Sequence, residues 1–164
     1  MDIDYDRSVV EAKKILNKYN ISSVPIIVDT IIKDYGINIK SVSFNEKMKD
    51  ISGFIDIKEK SIYINNDDSL ERQNFTKAHE FGHYILHSEL FKKDPSKQLL
   101  LREGKTNDTK EEKEANAFAS ELLIPEHILK KMIIQYRNYG IVELATLFGV
   151  SLSFMSFRIK NIMR

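Results

Sequence analysis

The chain of 164 residues is the size of one ordinary domain, and its 42% hydrophobic and 30% charged residues describe a folded protein rather than a disordered one. Its 25 basic and 24 acidic side chains leave a formal net charge of +1, which speaks against a general electrostatic grip on nucleic acid or anionic lipid. The lack of cysteine excludes a disulfide scaffold and any thiolate metal site, so a metal here has to be held by histidine and carboxylate.

The N-terminus, Met-Asp-Ile-Asp-Tyr-Asp, is acidic and unlike a signal peptide, and no apolar run approaches the ~20 residues that a bilayer requires. A cytoplasmic protein without a membrane partner is the expectation. Ser8-Val-Val-Glu11 has capping-box spacing, and Val9, Ala12, Ile15, Leu16 and Tyr19 follow at helical intervals. A second helix is predicted from Pro25, a residue suited to the first helical position, to Tyr35, with Gly36 as its stop. The period then changes. Ile37, Ile39 and the stretch to Phe44 suggest a strand, and residues 51–57 and 61–65 read as a hairpin across Lys58-Glu-Lys60.

Asp68 or Ser69 is placed to cap a helix whose buried side is Phe75, Ala78, Phe81, Gly82 and Ile85. Residues 88–108 read as polar and irregular around Pro95, interrupted by Leu99-Leu-Leu101. Another helix starts near Thr109 and buries Ala115, Phe118, Ala119, Leu122 and Leu123. Pro125 ends it and opens the next, which runs to about Tyr139, and Gly140 breaks the chain again. Two short helices flank Gly149-Val-Ser151. Helices, then a small antiparallel sheet, then helices make an α+β fold. Residues 1–140 are expected to form the core, with 141–164 as a C-terminal helical segment packed on it within a single domain.

The densest chemical signal is His79-Glu-Phe-Gly-His83. Positions i and i+4 of a helix share a face, so His79 and His83 can aim two imidazoles at one ion with Glu80 beside them. Zinc enzymes with HExxH use this geometry: the histidines hold the metal and the glutamate handles a proton of the attacking water. The bland alternative is a pair of partly buried histidines bonded to backbone carbonyls. A catalytic zinc needs a third protein ligand. His87 continues the i+4 series but lies about 12 Å from His79 along a helix, too far for one ion. The glycine turn that precedes the third histidine of metzincins is absent. Glu112 is the better candidate, because it shares a helix face with Asn116, opposite Phe118 and Leu122. Asn116 would then hydrogen-bond a ligand from behind. Glu112 also completes a capping box from Thr109, which is its structural alternative.

His79-Glu-Phe-Gly-His-Tyr-Ile-Leu-His87, followed by Glu112-Lys-Glu-Ala-Asn-Ala-Phe-Ala-Ser-Glu-Leu-Leu-Ile-Pro125, resembles the ImmA/IrrE family of zinc metallopeptidases. Ile21–Pro25, Gly36-Ile-x-Ile, Gly53-Phe, Ile62-Tyr-Ile and Leu144-Ala-x-x-Phe-Gly-Val-Ser151 extend the likeness from about residue 9 to about residue 160. The resemblance implies a zincin-like metallopeptidase core, with His79, His83 and Glu112 as zinc ligands and Glu80 as the catalytic carboxylate. It also implies a protein substrate, a helix-turn-helix repressor on a separate chain that regulates a mobile element or a stress response. Tyr63, His87, His127 and Tyr136 are candidates for oxyanion or substrate contacts. If the strand at Ile62–Asn65 is an exposed edge, substrate could add to it as a further strand. The 143–158 segment has the Ala-x-x-x-Gly spacing of a helix-turn-helix, but its second helix carries Leu152, Phe154, Met155 and Phe157 with only Arg158 and Lys160 as nearby bases. That composition suits packing better than groove reading, so direct nucleic-acid binding is not expected. The competing functions are a zinc protein that binds a repressor without cutting it, and a DNA-binding regulator.

Overall fold

A computed structural model describes residues 3–48, 50–96, 98 and 109–162. The elements follow in the order α1 (Tyr5–Lys18), α2 (Val28–Asp34), β1 (Asn38–Val42), β2 (Gly53–Asp56), β3 (Ser61–Asn65), α3 (Leu70–Lys93), α4 (Lys110–Leu123), α5 (Glu126–Gln135), α6 (Ile141–Phe148) and α7 (Leu152–Ile162). The fold is α+β, as the pattern of periods predicts.

The sheet is mixed rather than antiparallel. β3 lies between β1 and β2, antiparallel to β2 across the expected hairpin and parallel to β1, with Asn38 opposite Ser61 and Val42 opposite Asn65. The connection of residues 43–52, with its short 3-10 turn Glu46–Met48, is long enough to carry the chain past β3 and back. β3 is therefore the central strand and β2 an edge, so strand addition at Ile62–Asn65 is ruled out.

Several boundaries also shift. Asp4 rather than Ser8 caps α1, accepting from the Arg7 backbone N–H at 2.9 Å, and Ser8 is buried in the first turn with its hydroxyl donating to Asp4 O. Pro25 does not open α2. Ile26 and Val28 are buried while Ile27 is 63% exposed, the alternation of an extended segment, and the helix begins only at Val28. Gly36 ends it as expected, with a left-handed φ of +72°. Ser69, one of the two expected caps, starts α3. That helix runs on through residues 88–93 because Leu86, Leu90 and Phe91 continue its apolar stripe. The expected run Leu99–Leu101 and the remainder of the 97–108 stretch lie outside the described residues, apart from Gln98. α5 stops at Gln135, short of Tyr139.

The core lies where the inner sheet face, carrying Ile55 and Ile62, meets α1, α2, α3 and α4. Phe81 of α3 is its hub: its ring meets Tyr35, just past the end of α2, at 5.1 Å and Phe118 of α4 at 5.8 Å, both edge-to-face. α3 and α4 approach closely because Gly82 faces Ala115. A Cβ on Gly82 would stand 3.0 Å from Phe118 Cδ1 and 3.3 Å from Ala115 Cα and O. The C-terminal helices pack on the same body. Met155 is fully buried, and Arg158 forms a buried ion pair with Glu121 while its Nε donates to Ile124 O at 3.0 Å. No single helix among the described residues is long and apolar enough to cross a membrane.

Substituting Gly82→Ala should separate α3 from α4 and lower folding stability by about 1–3 kcal/mol. Urea denaturation measures this, and an unchanged midpoint would contradict the crossing described here.

Candidate metal centre

The crossing of α3 and α4 builds the site. His79 and His83 follow each other by one turn of α3, and Glu112 comes from the first turn of α4. Glu112 Oε2 lies 3.2 Å from His79 Nε2, and its Oε1 lies 3.2 Å from His83 Nε2. The two Nε2 atoms stand 3.0 Å apart. One donor atom from each residue falls within 4.8 Å of the others, so the three could hold a metal ion. The side chains are largely withdrawn from water, His79 at 12% exposure, His83 at 3% and Glu112 at 16%. Thr109 does cap α4, its hydroxyl accepting from Glu112 N at 3.3 Å. The capping alternative for Glu112 thus uses only its backbone, and its carboxylate is turned to the histidines.

Asn116, one turn further along α4, has its Oδ1 2.9 Å from His79 Nδ1. An amide oxygen there requires the proton on Nδ1, which leaves the Nε2 lone pair facing the cluster. Glu80 is buried, and its Oε2 accepts the backbone N–H of Ile55 at 2.9 Å. That bond ties the carboxylate to the edge strand β2. A cavity of about 20 Å³ lies between Glu80, His83, Glu112, Gly53, Ile55 and Gln98, room for a single water.

The electrostatics follow from burial and pairing. Burial pushes the His83 imidazole down to about 4, outweighing the pull of Glu112. Burial acts the same way on His79, but the Glu112 carboxylate, the charge of Glu80 and Asn116 overcome it and hold His79 above the usual histidine value. Burial alone would raise Glu112, yet its bonds to the two imidazoles bring it well below the ordinary carboxylate range. In the metal-free protein, His79 thus holds a proton more readily than His83 does.

The other sequence candidates stand elsewhere. His87 is buried behind His83, ring centroids 5.6 Å apart, with its Nε2 3.6 Å from Glu114 Oε2. Tyr63 lies on the outer sheet face, stacked on Phe54 and bonded through its hydroxyl to Glu59 and Lys40. His127 is exposed on α5, and Tyr136 stacks on Tyr139 beyond its end. None of the four lines the small cavity. Ile55 and Gln98 do, and neither carries a sequence signal. Gln98 Nε2 donates to Ile55 O at 2.7 Å, so both backbone polar groups of Ile55 are met by side chains. Such contacts depend on how β2 is threaded and cannot be read from spacing.

Residues 32–160 match the peptidase family described as the IrrE N-terminal-like domain. The chain is similar to Metallopeptidase ImmA of Bacillus subtilis (strain 168), with 30% identity over 103 residues, 62% of this chain and 56% of that protein. Its fold resembles a solved Mycobacterium tuberculosis transcriptional regulator, with a TM-score of 0.65 and 19% identity, over 96% of this chain and 49% of the other. The chain thus spans about half the length of each of these relatives. With a match over most of its length, the chain belongs to the IrrE N-terminal-like peptidase family.

Proposed function

We propose that this protein is a zinc-dependent endopeptidase acting on a protein regulator, a helix-turn-helix repressor carried on a separate chain. The observation that carries the reading is the convergence of His79, His83 and Glu112 beside the buried Glu80 carboxylate. Two imidazoles and one carboxylate form a catalytic zinc set that leaves a position for water or substrate. The cluster also fits a cation physically, because two imidazole nitrogens and a carboxylate oxygen gather within 4.8 Å of one another. Membership of a peptidase family supports hydrolysis, and the sequence resemblance supports the repressor as substrate.

His79, His83 and Glu112 would hold a zinc ion, which would supply Lewis acidity for a peptide carbonyl and lower the pKa of a water. Glu80, fixed by the Ile55 N–H, takes the proton of the attacking water and returns it to the leaving amine. Asn116 holds His79 in the tautomer that presents Nε2. An extended peptide pairing with the edge strand β2 would displace Gln98 from the Ile55 carbonyl.

Glu80→Gln should retain zinc and the Ile55 bond while lowering kcat/KM at least about 10²-fold. Full activity in that variant sinks the mechanism. Incubation with a helix-turn-helix repressor encoded beside this chain should give chelator-sensitive fragments. Stable binding without fragments would favour a non-proteolytic regulatory partner.

Zinc uptake should be proton-coupled. His83 is already neutral near pH 7, whereas the raised His79 has to lose a proton, so affinity falls as pH drops through the His79 pKa. With one proton displaced, the loss approaches about tenfold per pH unit. Competition titration against a chromophoric chelator from about pH 6 to 8 measures it, and a pH-independent affinity would refute it. Asn116→Ala should weaken zinc binding by about 10–100-fold in the same titration, with an unchanged urea midpoint.

A further inference from the structure

A second cavity, of about 400 Å³, opens between the start of α3 and the start of α7. Ser69, Arg72 and Phe75 form one side, and Ser151, Ser153 and Phe154 the other. Its size is that of an ordinary ligand pocket. Phe75 is the key residue. On one side its ring meets Phe154 edge-to-face at 4.9 Å, and on the other it lies 5.9 Å from the His79 ring. Arg72, Phe75, His79 and His83 follow one another along a single face of α3. Arg72 Nε also donates to Ser52 Oγ at 2.9 Å, immediately before the edge strand β2. One aromatic ring thus separates this cavity from the candidate metal centre, and one side chain joins its rim to the strand that borders that centre.

The lining also says what the cavity prefers. Two aromatic rings make its apolar wall. Several of the polar groups around them are already paired: Ser69 Oγ accepts from Arg72 N, Ser151 Oγ accepts from Phe154 N and pairs with Ser153 Oγ, and Arg72 Nε donates to Ser52 Oγ. Glu71 and Arg72 contribute opposite charges at the rim. The two rings favour a hydrocarbon occupant, and the opposite rim charges give no net preference for a charge of either sign.

We propose that this cavity receives a large apolar side chain of the peptide substrate, at a position close to the scissile bond. The helix-turn-helix-like C-terminal segment supplies its far wall. That segment thereby serves as a specificity element of the peptidase rather than as a reader of DNA. The inference rests on the peptidase reading of the metal centre.

The test uses the zinc-loaded full chain and a randomised peptide library, with cleavage sites read by mass spectrometry. The wild type should enrich Leu, Met or Phe at one fixed position beside the cut. Ser153→Trp fills the cavity from an exposed position and should lower cleavage of those peptides about tenfold or more relative to peptides with Ala there. Ser156→Trp, exposed on the same helix outside the cavity, should keep the wild-type preference. A preference unmoved by Ser153→Trp, or enrichment of acidic residues at that position, overturns the proposal. Absence of any cleavage by the wild type would instead count against the peptidase reading. The same library is then bound to zinc-loaded Glu80→Gln with and without Ser153→Trp. Loss of the large apolar binders on filling supports the cavity's role, and an unchanged set of binders refutes it.

Discussion

The close approach of α3 to α4 is the constraint on which everything else depends. Gly82 has no side chain and Ala115 only a methyl, so the two helices meet nearly backbone to backbone. A bulkier pair would hold them apart, and the Glu112 oxygens could no longer stand 3.2 Å from both imidazoles. The aromatic chain Tyr35–Phe81–Phe118 runs past the same crossing and carries the constraint into α2. Interiors pack too tightly for such a crossing to slide by small amounts. The glycine between the two histidines thus sets the depth of the site, although it has no side chain to place in it.

The edge strand supplies the second positioning element. Glu80 is not left to find its own place in a buried site, where an unpaired carboxylate would be costly. Its bond to the Ile55 N–H fixes one oxygen and shares the charge with the strand. Gly53 makes the matching approach possible, since a Cβ there would stand 2.4 Å from Tyr63 O and 2.7 Å from Thr76 Cγ2. The sheet, small as it is, therefore does more than cover the core.

Much of this was legible from residue order, for a definable reason. His79 and His83 are local, one helical turn apart, and spacing alone places them on one face. Glu112 and Asn116 repeat that logic on α4, and the structure brings both to the His79 ring. The caps Ser69 and Thr109 are local too. What could not be read is non-local. The parallel pairing of β1 with β3 depends on the path of residues 43–52, and the roles of Ile55 and Gln98 depend on which strand lies at the edge. Pro25 misleads because its fixed φ suits an extended segment as well as a helix start, and the alternating burial of Ile26 and Val28 decides for the former.

One further pair carries a consequence for α4 itself. Glu112 and Glu114 lie two residues apart, about 200° around the helix axis. The first faces His79 and His83. The second is buried against His87, accepts the Asp4 N–H at 2.7 Å and pairs with Lys110. Two acidic anchors on different flanks of one helix act as a rotational key. A turn by one residue would bring Lys113 or Glu111 towards the histidines, depending on its direction, and either turn would strip Glu114 of its partners. The helix therefore has one azimuth at which Glu112 and Glu114 both meet their partners, and that azimuth brings Glu112 to His79 and His83.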